Sequence, residues 1–80
     1  MEEKEIYDDL TEIFREMFIN DEITLREETT AKDIEGWDSF VHLTLIVAIE
    51  THFGIKFSTA QIDKLSSVGE LVRTIELLKK

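Results

Sequence analysis

The 80-residue chain is predicted to be all-α: a small four-helix bundle with a long loop between helices 1 and 2 and a short third helix. Three observations predict it. Proline is absent and glycine occurs only at Gly36, Gly54 and Gly69, so breakers of helix are few. Apolar residues recur with the 3.6-residue period of a helix in well-separated stretches. Capping residues stand at the head of the later stretches.

The first helix is expected from about Glu3 to Ile19. Ile6, Leu10, Ile13, Phe14, Met17 and Phe18 fall on one face, and Asp8, Asp9, Glu12 and Glu16 fall mostly away from it. The second begins at Asp38-Ser39, with Asp38 as N-cap, and ends near Phe53, where Gly54 supplies the stop. Ser58-Thr-Ala-Gln61 is a capping box for a short third helix, with Ile62 and Leu65 inward. Ser67-Val-Gly-Glu70 is a second capping box, opening a helix that carries Val68, Leu71, Val72, Ile75 and Leu78 on one face. Lys79 and Lys80 close it, complementing its dipole. Ile55 and Phe57 alternate with polar neighbours, but four residues without a partner strand read as a linker. Residues 20–37 form a connection longer than most, pinned by Ile23, Leu25, Ile34 and Trp37; its length and its exit into Asp38-Ser39 mark it as ordered and functional.

Composition narrows the function. Residues 1–80 make one domain. Without cysteine there is neither a disulfide nor a thiolate metal site, which fits a reducing compartment. No apolar run follows the N-terminus to serve as a signal, and none approaches the roughly 20 residues of a membrane span. A cytoplasmic monomer is expected, with no membrane partner. The net charge of −9 argues against nucleic acid. Residues 1–38 hold fourteen acidic and four basic side chains, residues 39–80 four and five, so the acidic surface lies in the front half.

The chemistry is concentrated at Gly36-Trp37-Asp38-Ser39-Phe40, where loop becomes helix. A serine in the first turn is exposed beside amides that lack intrahelical partners, and a phosphate there would meet the positive end of the helix dipole. Alone, an Asp-Ser pair is ordinarily just a cap. Its surroundings say more. After Asp38-Ser39-Phe40 the chain continues Leu45-Ile46, Ala48-Ile49-Glu50, Phe53-Gly54-Ile55, then Leu65 and Ser67-Val68. This resembles the acyl carrier protein family, whose Asp-Ser-Leu motif opens the second helix and whose later signature reads here without a gap from Leu45 to Phe53. The resemblance implies that Ser39 receives a covalent 4′-phosphopantetheine arm from coenzyme A. A separate phosphopantetheinyl transferase would activate the hydroxyl, and the chain itself would be no enzyme. The arm's thiol would then carry acyl groups as thioesters, for fatty acid, polyketide or related biosynthesis, between acyl-loading and acyl-transferring enzymes. Asp38 would either only cap or also orient the serine or a metal for the transferase.

On the second helix Leu45, Ile46, Ile49 and Phe53 should face the core. Phe40, Val41, Thr44, Val47, Ala48 and Thr51 form the opposite arc, unusually apolar for an outer face. Asp38, Phe40, Val41, Thr44, Val47 and Glu50 are the candidate partner-binding residues. Family members in primary fatty acid synthesis commonly carry several acidic residues here; this helix has Glu50 alone, which points to a specialised carrier with a dedicated partner. The alternative is an unmodified acidic helical interaction module, in which Ser39 is only a cap.

Other motifs fail on chemistry. Gly36 as the sixth position of a calcium loop would put Ala31 and His42 where carboxylates are required. His42 three residues after Ser39 suggests a nucleophile and base, but a hydrolase also needs an oxyanion hole and a pocket. His42 is expected to be a partly buried, hydrogen-bonded residue. His42 and His52 are about 80° out of phase on the helix, which disfavours shared zinc.

Overall fold

The structure, a computed structural model, describes residues 2–79; Lys80, expected at the end of the last helix, lies outside them. Four helices build it: α1 (Glu3–Phe18), α2 (Ser39–Phe53), α3 (Thr59–Asp63) and α4 (Val68–Leu78). One turn of 3-10 helix, Ala31–Asp33, interrupts the long loop, and no strand occurs among the described residues. The all-α expectation holds.

The core forms where the three longer helices turn their apolar stripes together. Ile6, Leu10 and Phe14 of α1, Leu45, Ile46, Ile49 and Phe53 of α2, and Val68, Leu71, Val72 and Ile75 of α4 are all buried. Phe57 joins them from the 54–58 linker. Tyr7, Ile13, Met17, Phe18, Trp37, Ile62 and Leu65 pack partly against this centre. Ile62 and Leu65 therefore reach inward without being sealed off.

The helix ends show how local chemistry is used. α1 stops one residue before the expected Ile19. Ile19 adopts φ 50°, a conformation that β-branched residues avoid, and the Asn20 N–H returns to the Arg15 carbonyl at 3.0 Å. The Ser58–Gln61 capping box forms in both directions. The Ser67–Glu70 box forms only in one: Ser67 Oγ accepts from the Glu70 N–H, but the Glu70 carboxylate is drawn to Arg73 Nη2 at 2.8 Å. Arg73 also holds Glu27 at 2.9 Å, and these two carboxylates raise its already high pKa. Lys79, expected to complement α4, instead donates from Nζ to the Phe53 carbonyl at 3.1 Å and so closes the end of α2.

The long loop is held as tightly as its apolar residues suggest. Ile23, Leu25 and Ile34 are buried, and Arg15 Nε donates to the Ile23 carbonyl at 3.0 Å. Thr30 and Asp33 form a reciprocal cap around the 3-10 turn. The loop also caps α4: the Val68 N–H donates to the Thr29 carbonyl at 2.8 Å and the Gly69 N–H to the Glu27 carbonyl at 2.9 Å. Two amides that a helix start would leave unpaired are thus satisfied from about forty residues away.

Candidate functional site at the head of the second helix

Gly36 has φ 91° and turns the loop toward α2. Asp38 stays extended and its Oδ1 accepts from the Val41 N–H at 2.9 Å, which makes it the N-cap. Ser39 follows as the first helical residue and is exposed. The cap bond goes to Val41, so the N–H groups of Ser39 and Phe40 have no intrahelical partner. A negatively charged group on the Ser39 oxygen would lie at the positive end of α2 beside those donors.

An open groove of about 600 Å³ starts at Ser39. Trp37, Asp38, Ser39, His42 and Leu43 form one wall; Ile62, Asp63, Leu65 and Ser66, from α3 and its exit, form the other, with Ala31 at the end. The lining mixes apolar Ala31, Trp37, Leu43, Ile62 and Leu65 with polar Asp38, Ser39, His42, Asp63 and Ser66, which suits an extended chain with both methylene and amide parts. The residues present therefore fit a phosphodiester-linked arm: an exposed hydroxyl, free amides around it and a channel leading away.

The arc of α2 that faces outward differs in detail from the helical-wheel expectation. Phe40 is 80% exposed and Val47 60%, and Thr44 is exposed as well. Val41 is half-buried and offers less surface than expected. Leu43, 60% exposed, was missed; it lies three residues after Phe40 and four before Val47, a spacing that could have placed it on their side. Phe40, Leu43 and Val47 thus make an apolar ridge.

Glu50, expected among the partner-facing residues, is half-buried, and its Oε2 accepts from the Phe57 N–H at 2.8 Å. Its carboxylate ties the end of α2 to the linker, so the outer face of α2 carries no free acidic group. Glu50→Ala is expected to destabilise the fold by about 1–2 kcal/mol, the range for a hydrogen bond to a charged acceptor with some solvent access, and Glu50→Gln to recover part of it. Urea denaturation measures both, and unchanged stability in Glu50→Ala would return the residue to a docking role.

The two histidines serve separately. His42, half-buried as expected, accepts at Nδ1 from Trp37 Nε1–H at 3.2 Å, and burial lowers its pKa. His52 reaches Asp9 on α1 at 3.2 Å.

This geometry agrees with comparison to known proteins. Residues 8–75 match the family described as the phosphopantetheine attachment site. An acyl carrier protein of Thermotoga maritima is 34% identical over 73 residues, covering 91% of this chain and 90% of that protein. The chain belongs to the acyl carrier protein family. Its function is the family's, acyl carriage through a 4′-phosphopantetheine prosthetic group, and the family is one of carriers rather than catalysts. An acyl carrier protein of Wolinella succinogenes is 33% identical over 75 residues, covering 92% of this chain and 97% of its own length. The solution structure of the holo acyl carrier protein of Geobacter metallireducens superposes with a TM-score of 0.85 at 44% identity, over 90% of this chain and 83% of that one. Members of the family work with phosphopantetheinyl transferases and biosynthetic enzymes. No helix of the described residues is long and apolar enough to cross a membrane.

Proposed function

We propose that Ser39 is the attachment point and that this chain is a specialised acyl carrier with an apolar docking face. The observation that carries the reading is the exposed Ser39 hydroxyl at the head of α2, opening onto a groove and flanked by first-turn amides. Ser39 Oγ would hold the phosphodiester, the Ser39 and Phe40 N–H groups would lie nearest its charge, and the groove walls would border the arm. When bound, the group supplies a thiol whose acyl thioester is activated for transfer. Asp38 holds the helix start in the conformation that presents Ser39. The chain performs no catalysis itself in this reading.

The phosphopantetheinyl transferase and the acyl-loading and acyl-transferring enzymes would meet the ridge of Phe40, Leu43 and Val47, with Thr44, Asp38 and the exposed part of Val41 around it. Along α2 itself the one carboxylate, Glu50, is engaged by the Phe57 N–H, which supports partners that recognise apolar surface, with Asp38 at the helix head as the acidic contact beside the ridge. The net charge of −9 speaks against a nucleic-acid partner. A single cytoplasmic, monomeric carrier domain completes the reading.

Intact mass after incubation with coenzyme A, magnesium and a broad-specificity transferase tests it. The Ser39 oxygen forms the new P–O bond, its proton passes to a base on the transferase, and the nucleotide bisphosphate half of coenzyme A departs. The wild type is expected to gain one phosphopantetheine and Ser39→Ala none. No gain on a folded wild type, with a control carrier labelled, would instead favour the unmodified interaction module.

A further inference from the structure

The chain's one tryptophan and one of its two histidines meet beside Ser39. Trp37 lies two residues before Ser39 and His42 three after it. The Trp37 Nε1–H to His42 Nδ1 bond of 3.2 Å therefore closes across the corner from which Ser39 projects. The ring planes are 22° apart with centroids separated by 5.9 Å. Those values fit two nearly parallel rings meeting edge to edge, where the N–H and the lone pair both lie. From the other side Trp37 is anchored by α1: its ring meets Phe14 edge-on at 5.2 Å and 83°, and Phe18 at 6.4 Å. The imidazole thus ties α2's first turns to an aromatic cluster rooted in the core.

We propose that Trp37 and His42 form a pH-sensitive latch that positions Ser39, closed while the imidazole is neutral and released when it is protonated. The proposal deepens, and rests on, the reading of Ser39 as the attachment point. An indole N–H can only donate, so Nδ1 must present a lone pair. Neutral imidazole does so with its proton on Nε2. Imidazolium has two N–H donors and no acceptor, so protonation sets one donor against another.

Burial favours the closed form, whereas a nearby carboxylate favours the protonated, open one. The charged groups that share the groove with His42 are Asp38, at the head of α2, and Asp63, at the end of α3. Asp38 Oδ1 is already engaged by the Val41 N–H, and α1 presents the rings of Phe14 and Phe18 to Trp37. Burial holds the His42 pKa below its ordinary 6.5. The unfolded chain therefore binds the proton more readily than the folded one. The latch's stabilising contribution is present above pH 6.5 and is lost as pH falls through the lower folded-state value.

Trp37 alone reports tryptophan emission, which makes the test specific. Emission of the full chain is followed from about pH 8 to about pH 5 in the wild type, His42→Asn and His52→Gln, with helicity recorded by circular dichroism. The wild type and His52→Gln are expected to show one transition centred below pH 6.5 at constant helicity. His42→Asn, or His42→Gln should asparagine fold poorly, offers the indole a carbonyl that does not titrate and is expected to show none. A transition that persists without His42, is missing from the wild type or follows loss of helicity overturns the latch.

The positioning role is read from initial rates of modification by a transferase and coenzyme A. The wild-type rate divided by the His42→Asn rate cancels the transferase's own pH dependence, and is expected to fall several-fold across the same range. A constant ratio overturns positioning. Failure of both proteins to be modified at any pH overturns Ser39 as the attachment point, and the emission transition then decides the latch by itself.

Discussion

Phe14→Ala is expected to remove about 3–5 kcal/mol of stability, the range for truncating a buried aromatic side chain. Phe14 is fully buried and stands where three requirements meet. It faces the other helices from the middle of α1's stripe, it packs against Phe18 at 5.8 Å, and it supports the edge of Trp37 at 5.2 Å. Removing the ring opens a cavity under the loop that leads to Ser39, and the neighbouring helices cannot close it without moving. A folded chain of 80 residues has a total stability on the order of 4–12 kcal/mol, so the variant should be marginal at room temperature. Urea denaturation measures the loss. In whatever fraction stays folded, tryptophan emission should shift to longer wavelength as Trp37 loses its floor. Phe14→Leu refills part of the space and should cost less. A loss below about 1 kcal/mol in the alanine variant would show that Phe14 does not fill the core in this way.

The helices could be read from the chain because what makes them is local. Ile6, Leu10 and Phe14 announce a buried stripe by spacing alone, and Asp38, Ser58 and Ser67 each cap amides within three residues of themselves. Ser39 at the start of α2 was legible for the same reason. What escaped depends on partners distant in sequence. Glu50 stood out as a lone charge on an apolar helix, but only folding brings the Phe57 N–H to it. Lys79 was read against its own helix and finds the carbonyl end of another. Glu70 looked like half of a capping box until Arg73, shared with Glu27, drew its carboxylate away. The groove beside Ser39 needs Ile62, Asp63, Leu65 and Ser66 as its second wall, and no local pattern could have supplied them. The Thr30–Asp33 cap is a different case, since its three-residue spacing is local and stands in the sequence itself.

Gly69→Ala is expected to lower stability by about 2–3 kcal/mol, against the sign that helix propensity alone would give. Inside a helix alanine is favoured over glycine by about 1 kcal/mol. Gly69 is the second residue of α4 and its backbone is ordinary for a helix, so nothing local requires glycine. The requirement is tertiary. A Cβ at this position would come 2.5 Å from Glu27 Cγ and 2.8 Å from the Glu27 carbonyl oxygen. The side chain could swing aside, but the carbonyl is the acceptor for the Gly69 N–H and cannot retreat without breaking that bond. Its withdrawal would also strain the neighbouring Val68-to-Thr29 bond and the Arg73–Glu27 pair. Overpacking of about 1–3 kcal/mol and the weakening of one or two bonds worth about 0.5–1.5 kcal/mol each together outweigh the propensity gain. Thermal unfolding should fall by on the order of 10 °C, and hydrogen exchange at Val68 and Gly69 should accelerate more than at Leu45 or Ile49. The exchange pattern carries the mechanism, because a general loss of stability would not single out the loop contact. An unchanged or higher melting temperature would mean that the loop yields freely at Glu27. The long connection would then be draped over α4 rather than bonded to it, and the support it gives to the head of α2 would have to come from Ile34 and Trp37 alone.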